Sequence, residues 1–575
     1  MTAAGKTPSS RLRNLETVIA QSVKDSLLPS DGRPEPGWVE QAGAFLLAAA
    51  RERKAGEPVI DLASATEERR FLRIALINDD MPFLVDSVAG AITAMGIGID
   101  RLVHPVLAVR RDADGTLLDL PGRDDTDAAL ESMIYIETER VDARQRRDLL
   151  QSLATTLADV RDAVADWPRM RSLLMRDAEQ VDNEELADLL RWFGQGNLTQ
   201  LGHANRKRDG GFTERLGICR RGVREILADN SYERAFAAFD EALARGSGIE
   251  PIIIKANCLA TVHRRVPLDL FLVPVIEDGA VVAVSMHAGL WTSAALAAAP
   301  DQIPRLRAQL GTLFARFGFD PNGHTGKALR HALSALPHDL LVSFSDVDVE
   351  RVATSMTGLI DRPRPRLLLV EAPLARHVLA FVWLPRDQLS SQMRGRIQAL
   401  LEQTPGVTAL DWSMQVEAGA LAMLRYVLDV RDAEQMPDEV ELDRQLRILL
   451  RGWGEAVEAA IAAEGEGSRA VAIAARYAEA FPMGYRSDYG ATEAALDIRH
   501  LRRLAGSEAE IASGPHSRRD VRLYRMASDG DARLRLKIYQ IDGALPLSDA
   551  VPALENFGFR VLEEIPTPLL SLIHI

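Results

Sequence analysis

Cysteine is scarce in this sequence of 575 residues, which contains only Cys219 and Cys258. Two cysteines cannot form a disulfide framework, and their separation fits no usual metal-ligand spacing, so we expect two buried or half-buried free thiols in a reducing compartment. No run approaches the roughly 20 apolar residues that span a bilayer, and the first residues lack the apolar core of a signal peptide. These absences predict a cytoplasmic protein that has no membrane partner.

Basic stripes are absent as well. The formal net charge is -14 and is spread along the chain. Without a basic block interleaved with aromatic side chains, nucleic acid is not an expected partner. The hydrophobic fraction of 47% is ordinary for globular proteins, and the chain is too long for one hydrophobic core, so several domains are expected.

Motifs of catalysis and cofactor binding are also absent. A dinucleotide site requires a glycine turn directly after a strand, but Gly465–Gly467 follows a helical stretch and is interpreted as a loop between helices. Gly323–Lys327 has the wrong glycine spacing for a phosphate loop and is interpreted as the start of a helix. No histidine lies in a recognised zinc pattern. The chain is therefore predicted to contribute no catalytic, cofactor-binding or metal-binding residue.

What the sequence does contain is a strand, loop, helix and strand between Phe71 and Arg111. The apolar run Phe71–Ile77 predicts a strand that is covered on both faces. Asp79 or Asp80 is expected to cap the following helix, which Gly96 would end. Two more strands and a long helix follow, and this β-α-β-β-α order is typical of a ferredoxin-like fold.

The same pattern returns near the C-terminus. The loop proline, the following apolar residue, the aspartate and the helix-ending glycine of Pro82–Gly96 recur at slightly shorter spacing in Pro546–Gly558, which indicates a weak internal repeat. The helical stretch Ala143–Trp167 completes the first copy, whereas the second copy lacks a second helix. Because an unfinished sheet exposes a strand edge, roughly the last fifty residues are expected to be poorly stable.

These segments resemble the opening region of the large bacterial NAD-specific glutamate dehydrogenases, which carries ACT domains. The resemblance rests on Leu76–Val88 with Asp100–Pro105 and spans about residues 10 to 566. Further segments match in order: Leu189–Phe193, Thr199–Gly202, Lys255–Asn257, Thr261–Arg264, Leu384–Asp387, Ala480–Pro482 with Tyr485, Leu547–Pro552 and Leu554–Gly558. The resemblance implies an α/β (α+β) protein of several ferredoxin-like, ACT-type βαββαβ units joined by helical segments, with the last unit incomplete.

Changes in pattern along the chain predict the domain boundaries. The expected segments are N-terminal helices over 1–64, a first ACT-like domain over 65–175, a second α/β module, PAS-like or ACT-like, with helices over 176–345, a second ACT-like domain over 346–438, a helical connector over 439–516 and a truncated third ACT-like domain over 517–575. Leu570–Ile575 departs from the family pattern and resembles translated adapter read-through, so we expect an artefactual tail.

The resemblance also implies a function. The intact protein would oxidatively deaminate L-glutamate to 2-oxoglutarate and ammonium with NAD as its cofactor, in glutamate catabolism. The family's catalytic lysine lies in a glycine-rich segment that does not occur here, so this chain alone is expected to bind no cofactor and to be inactive. It would be a regulatory and oligomerisation region that forms a homo-oligomer. The alternative is a stand-alone, non-catalytic ACT-type amino-acid sensor or assembly scaffold.

One effector site is predicted from the resemblance, in the loop after the first strand. Its residues are Asp79, Asp80, Met81, Phe83, Leu84 and Val85. Many amino-acid-binding ACT domains have a glycine after the loop proline, so that a backbone amide can approach the ligand carboxylate, but here Phe83 follows Pro82. The two aspartates either cap the helix or line a pocket for an amino-acid effector, and both interpretations stay open.

Overall fold

The structure is a computed structural model that forms two compact units. It describes residues 8–29, 34–66, 70–122, 124–246, 248, 250–375, 377–416, 419–506, 519–525, 529, 534–540 and 545–569. The first unit comprises Met1–Pro363, Val370–Leu379 and Asp429–Arg431, and the second comprises Arg364–Leu369, Ala380–Leu428 and Asp432–Ile575. The predicted tail Leu570–Ile575 lies outside the described residues.

The first unit opens with two helices and a six-stranded sheet. The elements are α1 (Pro8–Asp25), α2 (Trp38–Ala50), β1 (Val59–Thr66), β2 (Arg70–Asp79), α3 (Leu84–Thr93), β3 (Ile99–Val103), β4 (Val106–Arg111), β5 (Leu117–Asp119), β6 (Ala129–Thr138) and α4 (Ala143–Ala178). The strand order is β1-β2-β6-β4-β5, and β3 also pairs with β6. The prediction of an α+β fold is confirmed.

Both faces of this sheet are covered. Along β2, Ile74 and Leu76 enter the core shared with α3 and α4. Ala75 and Ile77 enter a separate core with α1 and α2. Successive side chains of a strand point to opposite faces, so a strand between two cores is apolar on both faces. The apolar run in the sequence, which only Arg73 interrupts, has this physical origin.

The ferredoxin-like order is permuted. In a βαββαβ unit the fourth strand follows the second helix, but here its place beside the first strand is taken by β1, which precedes β2 and pairs with it antiparallel from Val59–Ile77 to Thr66–Arg70. Most of β1 lies before residue 65, where the sequence indicated helices.

Two local predictions are wrong. Neither Asp79 nor Asp80 caps α3, because the N-cap residue is Phe83, which has a φ of 72° and makes no side-chain cap hydrogen bond. The long helix does not end at Trp167 but continues through Pro168 to Ala178. A proline inside a helix costs about 3 kcal/mol, and burial of the helix on both sides of Pro168 offsets that cost.

A second module of the first unit is built on a five-stranded antiparallel sheet of order β8-β7-β11-β10-β9. Its elements are α5 (Glu184–Trp192), β7 (Leu198–Lys207), β8 (Phe212–Gly217), α6 (Cys219–Ile226), α7 (Asp229–Arg245), β9 (Ile252–Leu259), β10 (Pro267–Glu277) and β11 (Ala280–Trp291). The chain order of two strands, two helices and three strands differs from βαββαβ. Helices follow over α8 (Ser293–Ala297), α9 (Pro304–Phe317), α10 (His324–Ser334), α11 (His338–Leu341) and α12 (Asp346–Asp361).

The second unit repeats the permuted order. Its elements are β12 (Arg366–Glu371), β13 (His377–Pro385), α13 (Ser391–Leu401), β14 (Thr408–Val416), β15 (Leu421–Asp429), α14 (Glu439–Leu449), α15 (Trp453–Ile461), α16 (Ala470–Tyr477), α17 (Met483–Gly506), β16 (Arg519–Tyr524), β17 (Arg535–Gln540) and α18 (Leu547–Asn556). The larger sheet has the order β12-β13-β15-β14, most of which belongs to this unit, and β16 pairs with β17.

Three segments of the chain therefore share a strand–strand–helix order: β1-β2-α3, β12-β13-α13 and β16-β17-α18. The weak sequence repeat coincides with two of them. Pro82 and Pro546 precede α3 and α18, and Gly96 and Gly558 follow these helices with φ values of 73° and 84°. Such left-handed conformations favour glycine because other residues carry a Cβ that clashes.

Candidate functional site

The predicted effector-binding loop lies between β2 and α3, and its first residue is held by two arginines. Asp79 accepts from Arg53 Nη2 at 2.5 Å and from Arg161 Nη1 at 2.5 Å. Burial alone would raise the pKa of the Asp79 carboxyl, but the hydrogen bonds from Arg161 and Arg53 outweigh it and lower the pKa. Asp79 is therefore a charged carboxylate whose ion pairs connect α4 to the segment that follows α2.

A buried network of ion pairs adjoins Asp79 and shares Arg53 with it. Glu131 on β6 accepts from Arg53 Nε at 3.1 Å and Nη2 at 2.9 Å, and from Arg111 Nε at 2.7 Å and Nη2 at 2.8 Å. The side chains of Arg53 and Glu131 are 3% and 2% exposed. Buried charges persist when they are paired and hydrogen-bonded, as here. The network fixes the end of β2, where the loop begins.

Asp80 is exposed and has a different set of partners. Its Oδ1 accepts from Ser132 Oγ at 2.6 Å, and Ser132 Oγ lies 2.9 Å from His104 Nε2. Because the serine hydroxyl donates to Asp80, its oxygen accepts from His104. Burial lowers the pKa of His104 and the Asp80 charge only partly opposes this, so at neutral pH this is a hydrogen-bond relay from a neutral imidazole to a carboxylate.

The apolar residues of the loop point into the protein. Leu84 is 1% exposed, and Met81, Phe83 and Val85 are half-buried against the same core. The Phe83 ring lies 5.2 Å from the ring of His263, centroid to centroid. The structure thus separates the six predicted residues into three groups: Asp79 in a half-buried ion pair, Asp80 in an exposed hydrogen-bond relay and four apolar residues that contact the core.

The 260–266 turn, which connects β9 to β10, packs against the start of α3. The backbone N–H of His263 donates to Ser87 Oγ at 2.8 Å, and that hydroxyl donates to the Phe83 carbonyl at 2.6 Å. His263 Nδ1 lies 3.2 Å from Asp86 Oδ2. Thr261 Oγ1 donates to Asp159 Oδ2 of α4 at 2.8 Å. We call residues 79–87 together with the 260–266 turn the loop–turn joint.

The helix α4 connects the same two modules a second time. Its first half packs Leu149, Leu153 and Leu157 under the six-stranded sheet, in a core that continues into the five-stranded module. Near its end, Asp177 accepts from Ser285 Oγ and from His287 Nε2 at 2.8 Å on β11. Burial would raise the pKa of Asp177, but the hydrogen bonds from His287 and Ser285 outweigh it and lower the pKa. The two modules therefore share one core and several polar contacts, which include the ion pair of Asp166 with Arg220.

Sequence reasoning missed Ser87, Asp86 and His263 as parts of this site, together with Arg53 and Arg161. In the sequence, the segment Thr261–Arg264 is distinguished only by its resemblance to the family. Ser87 and His263 are 176 positions apart, and no periodicity within either segment relates them. A group of three or more histidine, cysteine or acidic side chains with metal-binding geometry does not occur among the described residues. Nor is any helix in the described ranges both long and apolar enough to cross a membrane.

Comparison with known proteins shows what this architecture is similar to. Five sequence models of glutamate dehydrogenase segments match in order: the ACT1 domain over 41–153, helical motif 1 over 303–362, the ACT2 domain over 366–454, helical motif 2 over 460–504 and the ACT3 domain over 518–571. Together these matches cover more than half of the chain.

Three similar proteins are each named NAD-specific glutamate dehydrogenase. The protein of Halomonas elongata is 29% identical over 527 residues, which are 86% of this chain and 31% of that protein. The protein of Pseudomonas aeruginosa is 28% identical over 521 residues, which are 86% of this chain and 31% of that protein. The protein of Mycobacterium tuberculosis is 24% identical over 550 residues, which are 90% of this chain and 32% of that protein. The chain spans about a third of the length of these relatives.

Among solved structures, an RNA-binding light-oxygen-voltage receptor aligns with 52% of this chain and 90% of its own at 10% identity, with a TM-score of 0.12. That score is too low to bear on the fold. The ordered domain matches and the three relatives agree with each other, and the chain belongs to the family of the large NAD-specific glutamate dehydrogenases, of which it contains the ACT1, ACT2 and ACT3 domains and two helical motifs.

Proposed function

We propose that this chain is the N-terminal regulatory and assembly region of a cytoplasmic NAD-dependent glutamate dehydrogenase. The intact enzyme would convert L-glutamate, NAD and water to 2-oxoglutarate, ammonium and NADH in glutamate catabolism. Its catalytic and NAD-binding groups would lie in the part of the enzyme that this chain does not span. The shared name of the three relatives and their greater length support this assignment.

The loop–turn joint carries the regulatory part of the proposal. Regulation at a distance requires an element with two arrangements whose balance a ligand can change. In the joint, Phe83 and His263 face each other with φ values of 72° and 66°. Non-glycine residues rarely adopt this left-handed region, and such positions often mark switch segments. A displacement of α3 would be transmitted to β9 and β10 through the 260–266 turn.

An amino-acid effector at Asp79–Val85 would have to compete with partners inside the chain. Its ammonium group would meet an Asp79 carboxylate that two guanidinium groups already hold. Binding beside Phe83 would displace the His263 ring. Asp80, exposed and held by one serine hydroxyl, is the carboxylate that such a ligand could reach most easily. Effector binding at this loop would therefore open the joint.

The assay for the proposal is glutamate-dependent formation of NADH, followed by its absorbance. The purified chain should form no NADH. Formation of NADH by the chain alone would contradict the proposal that the catalytic groups lie in the part of the enzyme that this chain does not span. Calorimetry with glutamate, aspartate and arginine tests the stand-alone sensor. Saturable binding that Asp80→Ala abolishes would favour a sensor at this loop, and absence of binding would leave coupling and assembly as the role of the region.

A further inference from the structure

The strand β14 is the last strand of the four-stranded sheet, and no strand among the described residues pairs with its outer edge. Its even-numbered side chains Leu410, Trp412, Met414 and Val416 are 54%, 44%, 53% and 44% exposed. Residues two apart lie on the same face of a strand, so these four form one apolar strip. Soluble proteins normally protect an edge of this kind, because it pairs readily with another strand.

The opposite edge of the same sheet is closed. On β12 the backbone N–H of Leu367 donates to Asp443 Oδ1 at 2.7 Å, and that of Leu369 donates to Glu439 Oε2 at 2.9 Å. Both carboxylates belong to α14. Hydrogen-bonding groups of an edge strand that are capped by side chains cannot receive another strand. The sheet is therefore protected at β12, whereas β14 presents an apolar strip.

We propose that β14 is the surface through which two copies of this chain pair, so that their four-stranded sheets continue into each other. This inference rests on the assembly role proposed above and assigns it to one strand. Most soluble homo-oligomers are closed by a two-fold axis, which requires a surface complementary to itself. An edge strand meets that requirement when it pairs antiparallel with its own copy.

The charges of β14 favour a second copy as the partner. Asp411 is the only charged residue between Thr408 and Val416. The N–H of Ala409, the second residue of β14, donates to Glu402 Oε1 at 3.0 Å, so the odd-numbered residues direct their backbone groups outward. This side chain caps the start of the edge, and the pairing is therefore carried by Asp411 and Ser413 at the middle of the strand. In a pairing centred on Trp412, each Asp411 faces Ser413 of the second copy. A shift that is centred on Asp411 would place two carboxylates opposite each other, which is destabilising.

The same pairing keeps the strip apolar. Trp412 would face Trp412 of the second copy, and Leu410 would face Met414. These are non-hydrogen-bonded positions, where opposing side chains approach most closely. Aromatic residues at the centre of an interface commonly supply much of its binding energy, and aromatic pairs contribute about 0.5–1.5 kcal/mol beyond the area that they bury.

The helix beside β14 leaves room for its own copy. The Arg394 guanidinium carbon of α13 lies 4.5 Å from the centroid of the Trp412 ring, so helix and strip adjoin. Ser391, Gly395 and Ala399 are exposed at intervals of four residues, and a Cβ added to Gly395 would meet nothing within 4 Å. Small residues at this spacing allow two helices to pack closely. The helix and the strip form one continuous patch.

The first test is the oligomeric state of the 575-residue chain, measured by light scattering and sedimentation over a wide concentration range. The wild-type chain should be dimeric, and Trp412→Lys should weaken dimerisation at least about tenfold while leaving the circular dichroism spectrum unchanged. The control is Val440→Lys, at a residue of α14 that is 79% exposed. A monomer at every concentration, or a dimer that Trp412→Lys leaves intact, would overturn the proposal.

Cross-linking tests the register independently. In a Cys258→Ser background, where the remaining Cys219 is buried, Trp412→Cys should form a covalent dimer under mild oxidation. Ser413→Cys, one residue along and on the other face of the strand, should not. Equal cross-linking of the two variants, or none by Trp412→Cys, would contradict the centred pairing. These readouts do not involve catalysis, so their failure would leave the dehydrogenase assignment standing.

Discussion

Replacement of Ser87 by alanine tests whether the loop–turn joint contributes to the stability of the first unit. Ser87 is 1% exposed, and its hydroxyl accepts from the backbone N–H of His263 and donates to the Phe83 carbonyl. Ser87→Ala leaves the Phe83 carbonyl with a partner, because the backbone N–H of residue 87 also donates to it at 3.0 Å. The N–H of His263 loses its acceptor. An unsatisfied buried donor costs about 1–3 kcal/mol.

Because the turn is half-buried, we expect a loss of about 1–2 kcal/mol in the free energy of opening the joint. Amide hydrogen exchange of the 260–266 turn measures this quantity directly, since exchange reports local opening. The expected loss corresponds to exchange that is about 5–30 times faster. The measurement is made on the whole chain, because unfolding of a protein with several domains does not give one free energy.

Thr93→Ala is the matched control, on the same helix. The Thr93 hydroxyl donates only to carbonyls of α3 itself, at 2.9 and 3.3 Å, and the residue is exposed. Its loss should change local stability by no more than about 0.5 kcal/mol. Unchanged exchange of the 260–266 turn in Ser87→Ala, or equal acceleration in the two variants, would refute the role assigned to Ser87.

Two further predictions concern buried charges in the first unit. Glu131→Gln removes one of the two carboxylates that hold the buried guanidinium of Arg53, together with the carboxylate that Arg111 binds. It should reduce local stability by about 3–5 kcal/mol, whereas Asp125→Asn, which removes the half-exposed partner of Arg110, should cost less than about 1 kcal/mol, both measured by amide hydrogen exchange of β6. Equal effects would contradict the network. Burial raises the pKa of Asp269 to about 7 although Lys255 lies 2.6 Å away and opposes the shift. Folding then favours the protonated acid, so stability should fall as pH rises from about 4 towards 7, and Asp269→Asn should flatten that part of a urea-midpoint series; an unchanged slope would refute this assignment.

Part of the fold could be predicted because its signals are local. The apolar run of β2 predicted a strand between two cores, and the turn prolines and glycines predicted where α3 and α18 begin and end. The contribution of β1 to the first sheet could not be predicted, because a permuted strand has the same local pattern as an unpermuted one. The full length of α4 was hidden by Pro168, since long-range packing overrides the local preference of a proline.

The candidate site shows the same division. The loop after β2 was identified from its residues, but its partners lie far away in sequence: Arg161 is 82 positions from Asp79, and His263 is 176 positions from Ser87. An alternating strip such as Leu410–Val416 predicts a strand, but only the sheet order shows that this strand is an edge. Local periodicity in the sequence indicates where helices and strands form, whereas the topology of the fold decides which of them lie next to each other.

The central claim is that the loop after β2 is a joint between the ACT1 domain and the five-stranded module. Amide hydrogen exchange of the wild-type chain, with and without saturating glutamate, aspartate or arginine, tests it most directly. Peptides covering 79–87 and 260–266 should exchange slowly and open together, and any amino acid that binds at the loop should accelerate exchange of the 260–266 turn. A loop that exchanges rapidly while the turn stays protected, or an amino acid that protects the loop without altering the turn, would contradict it.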